Sequence, residues 1–338
     1  MLPSELTALV VFFEQLGLAL CGAACLWGIF FSVNAETTKE EGKKKIFNDI
    51  SNKLFIPFVL GFVISTLVWL LRIFSRSGFA SRHTFNLFSD LSHMSQYVER
   101  SVPVLWLIFI FFSLSFIIFS SFWKKKFPHL VRTFYLISFI LVFILISFPT
   151  GVANFTNDHL FFIKHGFPLI FTIGTVMIVD FLFFFTRSSL RAKRAVFPYF
   201  TTLNKFIWIG LGIHFFTDWV SGAQIALSPV FYFVQIVTAV IIINGMLFTG
   251  PLTEVIISGV SERRVKPLEK KWGIISGISG VISFSSWTSL TLATLLPNIP
   301  LSLSYLLAIY VIKLVVIYVA FLFIEWMTDI PLSFVNTN

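Results

Sequence analysis

The sequence predicts an all-α polytopic membrane protein with about nine transmembrane helices, arranged as two parallel four-helix repeats plus one. Three observations predict it. Long apolar runs recur from one end of the chain to the other. Only 12% of the 338 residues are charged while 57% are hydrophobic, and a soluble domain carries about 25% charged residues. The basic residues fall in short clusters between the apolar runs, which is the charge signature of membrane topology. The net charge of +9 therefore does not point to nucleic acid, because no basic face or stripe is built.

The elements follow in order. The first apolar run, about 8–33, has no basic segment before it and contains Glu14, so it reads as a span and not as a cleaved leader. Cys21 and Cys25 lie on one face of it, four residues apart. With Gly17 they form a ridge of small residues that lets a second helix approach closely. Further spans are expected at about 54–73, 103–123, 133–152, 161–186, 204–224, 229–249, 272–296 and 302–325. Between the second and third, Phe85, Phe88, Leu91, Met94 and Val98 recur every three or four residues. That periodicity predicts an amphipathic helix near 85–98 lying in the outer interface, with His83, Asp90 and His93 on its polar side.

Charge orients the spans. Nineteen of the 25 Lys and Arg residues fall in the loops after spans 1, 3, 5 and 7. The positive-inside rule makes that face cytoplasmic, in an inner or plasma membrane, with the N-terminus outside and the C-terminus in the cytoplasm. The sequon Asn154-Phe155-Thr156 then falls on the outer side.

The chain also resembles itself. "FFEQLGLALCG" opens span 1 and "FFIKHGFPLIF" opens span 5. The stretch from Pro103 matches the stretch from Pro229 over twenty residues without a gap, and "FYLISFI" from Phe134 matches "WGIISGI" from Trp272. The order is the same in both halves, and four spans per unit gives both units one orientation. The predicted divisions are 1–152, a first four-helix repeat carrying the interfacial helix; 153–297, a second repeat; and 298–338, a ninth helix with a short tail.

Polar residues inside the spans are the candidate site. Lys313 sits near the middle of the last span, where a charge costs roughly 2.5–3.5 kcal/mol on insertion scales. His214 lies near the middle of span 6, and Asp218 is one turn, roughly 5 Å, away on the same face. Glu14 lies toward the outside, Asp180 and Asn244 toward the inside. Such groups turn inward and toward each other, so one buried polar pathway is expected through Glu14, Asp218, His214, Lys313, Asp180 and Asn244. Because side chains lean toward the N-terminus of their helix, Asp218 is the first expected partner of Lys313 and Asp180 the second. Ser276, Ser279, Ser283 and Ser286 share a face of span 8, which suits either close packing or a wet path.

Two cofactor readings stay open. His214 and Asp218, with His165, have the residue types of a transition-metal site. His165 and His214, on neighbouring spans, are the residue type that ligates haem b. No phosphate loop, nucleophile elbow or catalytic carboxylate pair is present, so the sequence does not read as an enzyme. Beyond the lipid bilayer, a second copy of the chain or another membrane protein remains open as a partner.

The stretches "FIKHGFPLIFTIGTVMIVDFLFFFTR" and "LNKFIWIGLGIHFFTDW" resemble copper-resistance-D-like and related histidine-containing multi-pass bacterial membrane proteins. His165, Gly174, Arg187 and Trp208 to Leu211 carry the likeness, which covers about 60 residues. The resemblance implies copper handling or b-type haem. Three functions follow as expectations: movement of a proton, metal ion or small solute along the polar pathway; haem-based electron transfer; or a structural membrane subunit.

Overall fold

The structure is a computed structural model. It describes residues 4–76, 97–119, 128–147, 168–186, 194–220, 228–255, 270–295 and 300–328. Among these there is no strand; the chain is all-α. The helices are α1 (Ser4–Thr37), α2 (Glu41–Lys53), α3 (Phe55–Arg76), α4 (Tyr97–Ile118), α5 (Pro128–Ser147), α6 (Thr175–Thr186), α7 (Phe200–Val220), α8 (Pro229–Leu247), α9 (Lys270–Leu295) and α10 (Leu303–Thr328). A wide, π-type turn at Ile170–Gly174 leads into α6, and another at Phe248–Leu252 follows α8.

The described part of each expected span is helical apart from the end residues Leu54, Phe119 and Ser302. Four stretches are long and apolar enough to cross a membrane: Leu9–Thr37, Glu41–Leu71, Pro229–Val255 and Leu303–Phe323. Pro103–Ile118, Leu130–Ile146 and Ile170–Leu182 are apolar but shorter. The chain is thus a helical protein whose apolar helices suit an integral membrane protein in contact with lipid. The interfacial helix expected near 85–98 lies outside the described residues up to position 96, as do His83, Asp90 and His93, and Tyr97 and Val98 belong to α4.

The chain divides into two compact units, one of Met1–Gly174 with Gly210–Ser221 and one of Thr175–Ile209 with Gly222–Asn338. In the first, α1 is the spine. It packs on α3 backbone to backbone: a Cβ added to Gly61 would lie 2.5 Å from the Gly17 carbonyl oxygen, and one on Gly17 would lie 2.7 Å from that of Gly61. Small residues permit this approach, and close packing replaces the hydrophobic effect as the driving force between helices in hydrocarbon. The Cys21 thiol, on the same ridge, donates to the Phe58 carbonyl at 3.3 Å. On another side of α1, Gly174 of the wide turn lies against Ala19 and Ala23. Aromatic rings fill the space among α3, α4 and α5. Phe116 and Phe134 stack at 3.6 Å, Trp69 and Trp106 at 5.2 Å, and Phe58 meets Phe109 and Phe134 edge-on.

The first basic loop of the sequence reading contains a helix. Its amphipathic pattern buries Phe47, Ile50 and Ser51 of α2 and leaves the lysines outward. Ser51 donates to the Gly28 carbonyl at 2.9 Å, and the Tyr135 hydroxyl donates to the Ser51 carbonyl at 2.7 Å. The Tyr135 ring covers Gly28, where a Cβ would meet it at 2.6 Å. These bonds tie α1, α2 and α5 together at one end.

In the second unit α9 packs against both α8 and α10, and α8 also meets α10. α8 starts where Ser228 caps it, accepting from the Phe231 N–H at 3.1 Å, with Pro229 as its first residue. It ends in a kink at Gly250 (φ −97°, ψ −106°), followed by Pro251, which has no N–H to continue the ladder. α10 buries Leu306 and Tyr310, whereas Ile309, Ile312, Val316 and Val319 remain exposed, a surface compatible with contact to lipid.

Candidate functional site

The hydrogen bonds of the second unit converge on α9, the least apolar of its three long helices. Nearest one end, Asn244 of α8 and Ser279 of α9 bond reciprocally. The Asn244 amide donates to the Ser279 carbonyl at 3.0 Å, and the Ser279 hydroxyl donates to Asn244 Oδ1 at 2.9 Å. Both residues are buried. Two turns along, the hydroxyls of Ser286 and Tyr310 share a hydrogen bond of 2.7 Å. The Tyr310 ring meets Phe233 of α8 edge-on at 6.2 Å.

Lys313 lies one turn beyond Tyr310, half-buried, with its amine laid on α9. Nζ donates to the Ser285 carbonyl at 3.2 Å, to Thr288 Oγ1 at 2.5 Å and to Ser289 Oγ at 3.0 Å. Positions 285, 288 and 289 share one helix face, so a single side chain reaches all three oxygens. An ammonium has three donors, and this cradle uses all three. Thr288 passes its own hydrogen to the Phe284 carbonyl at 2.7 Å, with the Ser285 carbonyl at 3.2 Å as a second acceptor.

The carboxylates expected at Lys313 are a different matter. Among the described residues none ion-pairs with it. Asp180 of α6 keeps an accessible side chain and does not pair with Lys313. Asp218 falls in the last turn of α7, and its side chain lies outside the described residues. The helices packed on α10 offer no alternative: α8 has no Asp, Glu, Lys, Arg or His, and α9 has only Lys270 and Lys271, at its first turn.

The other expected pathway residues divide between the units. Asn244, Asp180 and Lys313 belong to the second, and Asn244 and Lys313 both bond to α9. Glu14, His214 and Asp218 belong to the first. Glu14 is buried on α1 beside the buried Gln15. His214 is half-buried on α7, with its ring 6.2 Å from that of Phe215. His165, wanted by both the metal and haem readings, lies outside the described residues, and no group of three metal-ligating side chains occurs among the described ones. Comparison of the chain with family profiles, with characterised proteins and with solved structures gives no match.

Proposed function

We propose that the protein is an integral membrane protein that moves a small solute or ion, a proton or metal ion included, through a polar interior in which α9 is the central helix. One observation carries the reading: a lysine amine near the middle of a strongly apolar helix is held on a face of hydroxyls and has no counter-charge among the described residues. Ionisable residues within apolar spans are expensive and usually functional. The proposal includes the sequence-derived topology, with residues 34–53 and 187–205 cytoplasmic, and the two parallel four-helix repeats. The test is flux in liposomes containing the purified protein, recorded electrically for protons, copper and other small ions. Lys313→Met should remove the current while leaving the protein folded. A current unchanged by that substitution overturns the reading, and no current from the wild type with any of these ions removes its ion form.

A second reading, a structural membrane subunit, is favoured by the Asn244–Ser279 and Ser286–Tyr310 pairs, which link helices through mutually satisfied polar groups. It predicts stability loss on mutation and no flux. The haem and copper readings rest on His165 and His214 and on the resemblance of that segment. A visible absorption spectrum with a Soret band, or copper in the purified protein, would support them.

A further inference from the structure

We propose that Lys313 is a reversible proton-binding site, whose cradle on α9 satisfies the side chain both as an ammonium and as a neutral amine. The inference deepens the transport reading and rests on it for its biological meaning: the proton becomes the coupling or transported ion.

The argument is a count of donors and acceptors. As an ammonium, Lys313 donates three hydrogens to the Ser285 carbonyl, Thr288 Oγ1 and Ser289 Oγ. As an amine it has two hydrogens and one lone pair. The Ser285 carbonyl can only accept, and the Thr288 hydrogen is committed to a backbone carbonyl, so these two take the two amine hydrogens. Ser289 differs from both. Its oxygen accepts from Lys313, and no acceptor for its own hydrogen is found among the described residues. Rotation of that hydroxyl points its hydrogen at the amine lone pair. One proton leaves Nζ, one hydroxyl turns, and all three contacts to Nζ are kept. A purely structural lysine has no need of a hydroxyl that can reverse its role.

The surroundings leave the charge state free to change. Within α8 the only titratable side chain is Tyr232, which is exposed. Within α9 only Lys270 and Lys271 titrate, at the far end of the helix from the cradle. On α10 itself the nearest is Tyr310, engaged with Ser286, followed by Tyr305, Tyr318 and Glu325 further along. No carboxylate on these three helices pins a proton on Nζ, and Asp180 of α6, the other helix packed on α9, makes no ion pair with it.

The test reads the proton directly. The full-length protein, labelled with ¹³C at lysine Cε, is placed in lipid nanodiscs, and the resonance missing from Lys313→Met is assigned to Lys313. Its shift is followed from about pH 6 to 11, a window that brackets the ordinary lysine value of about 10.4. The expected result is a single-proton transition whose midpoint differs at least about tenfold in proton affinity from the surface lysines, and which Ser289→Ala moves while theirs stay fixed. A Lys313 that titrates with the surface lysines and ignores Ser289→Ala overturns the proposal, as does one that does not titrate in this window. The outcome is separable from the transport reading. Titration without Lys313-dependent flux keeps the proton site and removes transport. Flux lost in Lys313→Met without titration keeps transport and removes the proton site.

Discussion

The two units hold their helices together by different means. The first relies mainly on shape: α1 and α3 meet through Gly17 and Gly61, the surrounding space is filled by stacked and edge-on rings, and the bonds of Ser51 and Tyr135 serve the end where α2 docks. The second relies on polar contacts: Asn244 with Ser279, Tyr310 with Ser286, and Lys313 with three oxygens of one helix face. In the bilayer setting proposed above, the hydrophobic effect does not act between helices, so packing and interhelical hydrogen bonds are what remain. The difference bears on function. A close-packed glycine contact has one state, whereas a hydroxyl and amine seam can rearrange its donors without moving its helices.

The largest expected effect breaks the comparison at its glycines. Gly61→Val should destabilise the protein by about 3 kcal/mol, because any Cβ there meets the backbone of α1, which cannot step aside as a side chain can. Gly280→Ala in α9 should do the reverse, since a Cβ at Gly280 meets nothing within 4 Å and alanine favours a helix by up to about 1 kcal/mol. Thermal unfolding of both variants in detergent measures the contrast. Equal losses at the two positions would remove the distinction between the units.

Next in size is the polar seam. Asn244→Leu should cost about 1 kcal/mol, in the range measured for interhelical hydrogen bonds in membranes. Ser279→Ala should cost little more once Asn244 is gone, and a double-mutant cycle gives the coupling. Additive losses would mean that the reciprocal pair is not a unit. Lys313→Met belongs lower still, within about 1 kcal/mol: methionine suits the apolar helix, and the Thr288 hydroxyl keeps its bond to the Phe284 carbonyl. A loss of several kcal/mol would make Lys313 a structural pin and weaken both proposals for it.

These contrasts also mark what the sequence could and could not disclose. The helical segments were legible because apolar runs of this length have few other folds. The ridge Gly17–Cys21–Cys25 was legible on one helix, but its complement, Gly61 and Ser65, belongs to a run whose hydropathy hides two small residues. α2 was hidden by its lysines, which read as a loop until Phe47 and Ile50 are seen buried. The expected partners of Lys313 were carboxylates, chosen by depth and lean. The cradle that is described lies on the preceding helix, and a signal for it existed. Consecutive helices joined by a short connection run antiparallel side by side. About residue 299 as the turning point, Lys313 mirrors Ser285. Reading the serines of α9 as one face without folding the chain back at 299 kept the two observations apart.

The smallest effect is expected at an ion pair that looks strong on geometry alone. Arg132 of α5 and Glu36 of α1 approach to 2.5 Å, and the pair lies at the end of the first unit where α2 also docks. Its side chains are 40% and 58% exposed, so water already screens each charge and long side chains must be ordered to hold the contact. Glu36→Gln should therefore change stability by no more than about 0.5 kcal/mol, and the difference from wild type should fade as salt is raised. Beside it, Tyr135→Phe removes a buried hydrogen bond to the Ser51 carbonyl and should cost about 1 kcal/mol whatever the salt. The two substitutions act on the same end of the same unit and differ in burial. If the exposed pair proves the costlier of the two, the docking of α2 depends on charge more than on its buried hydrogen bonds.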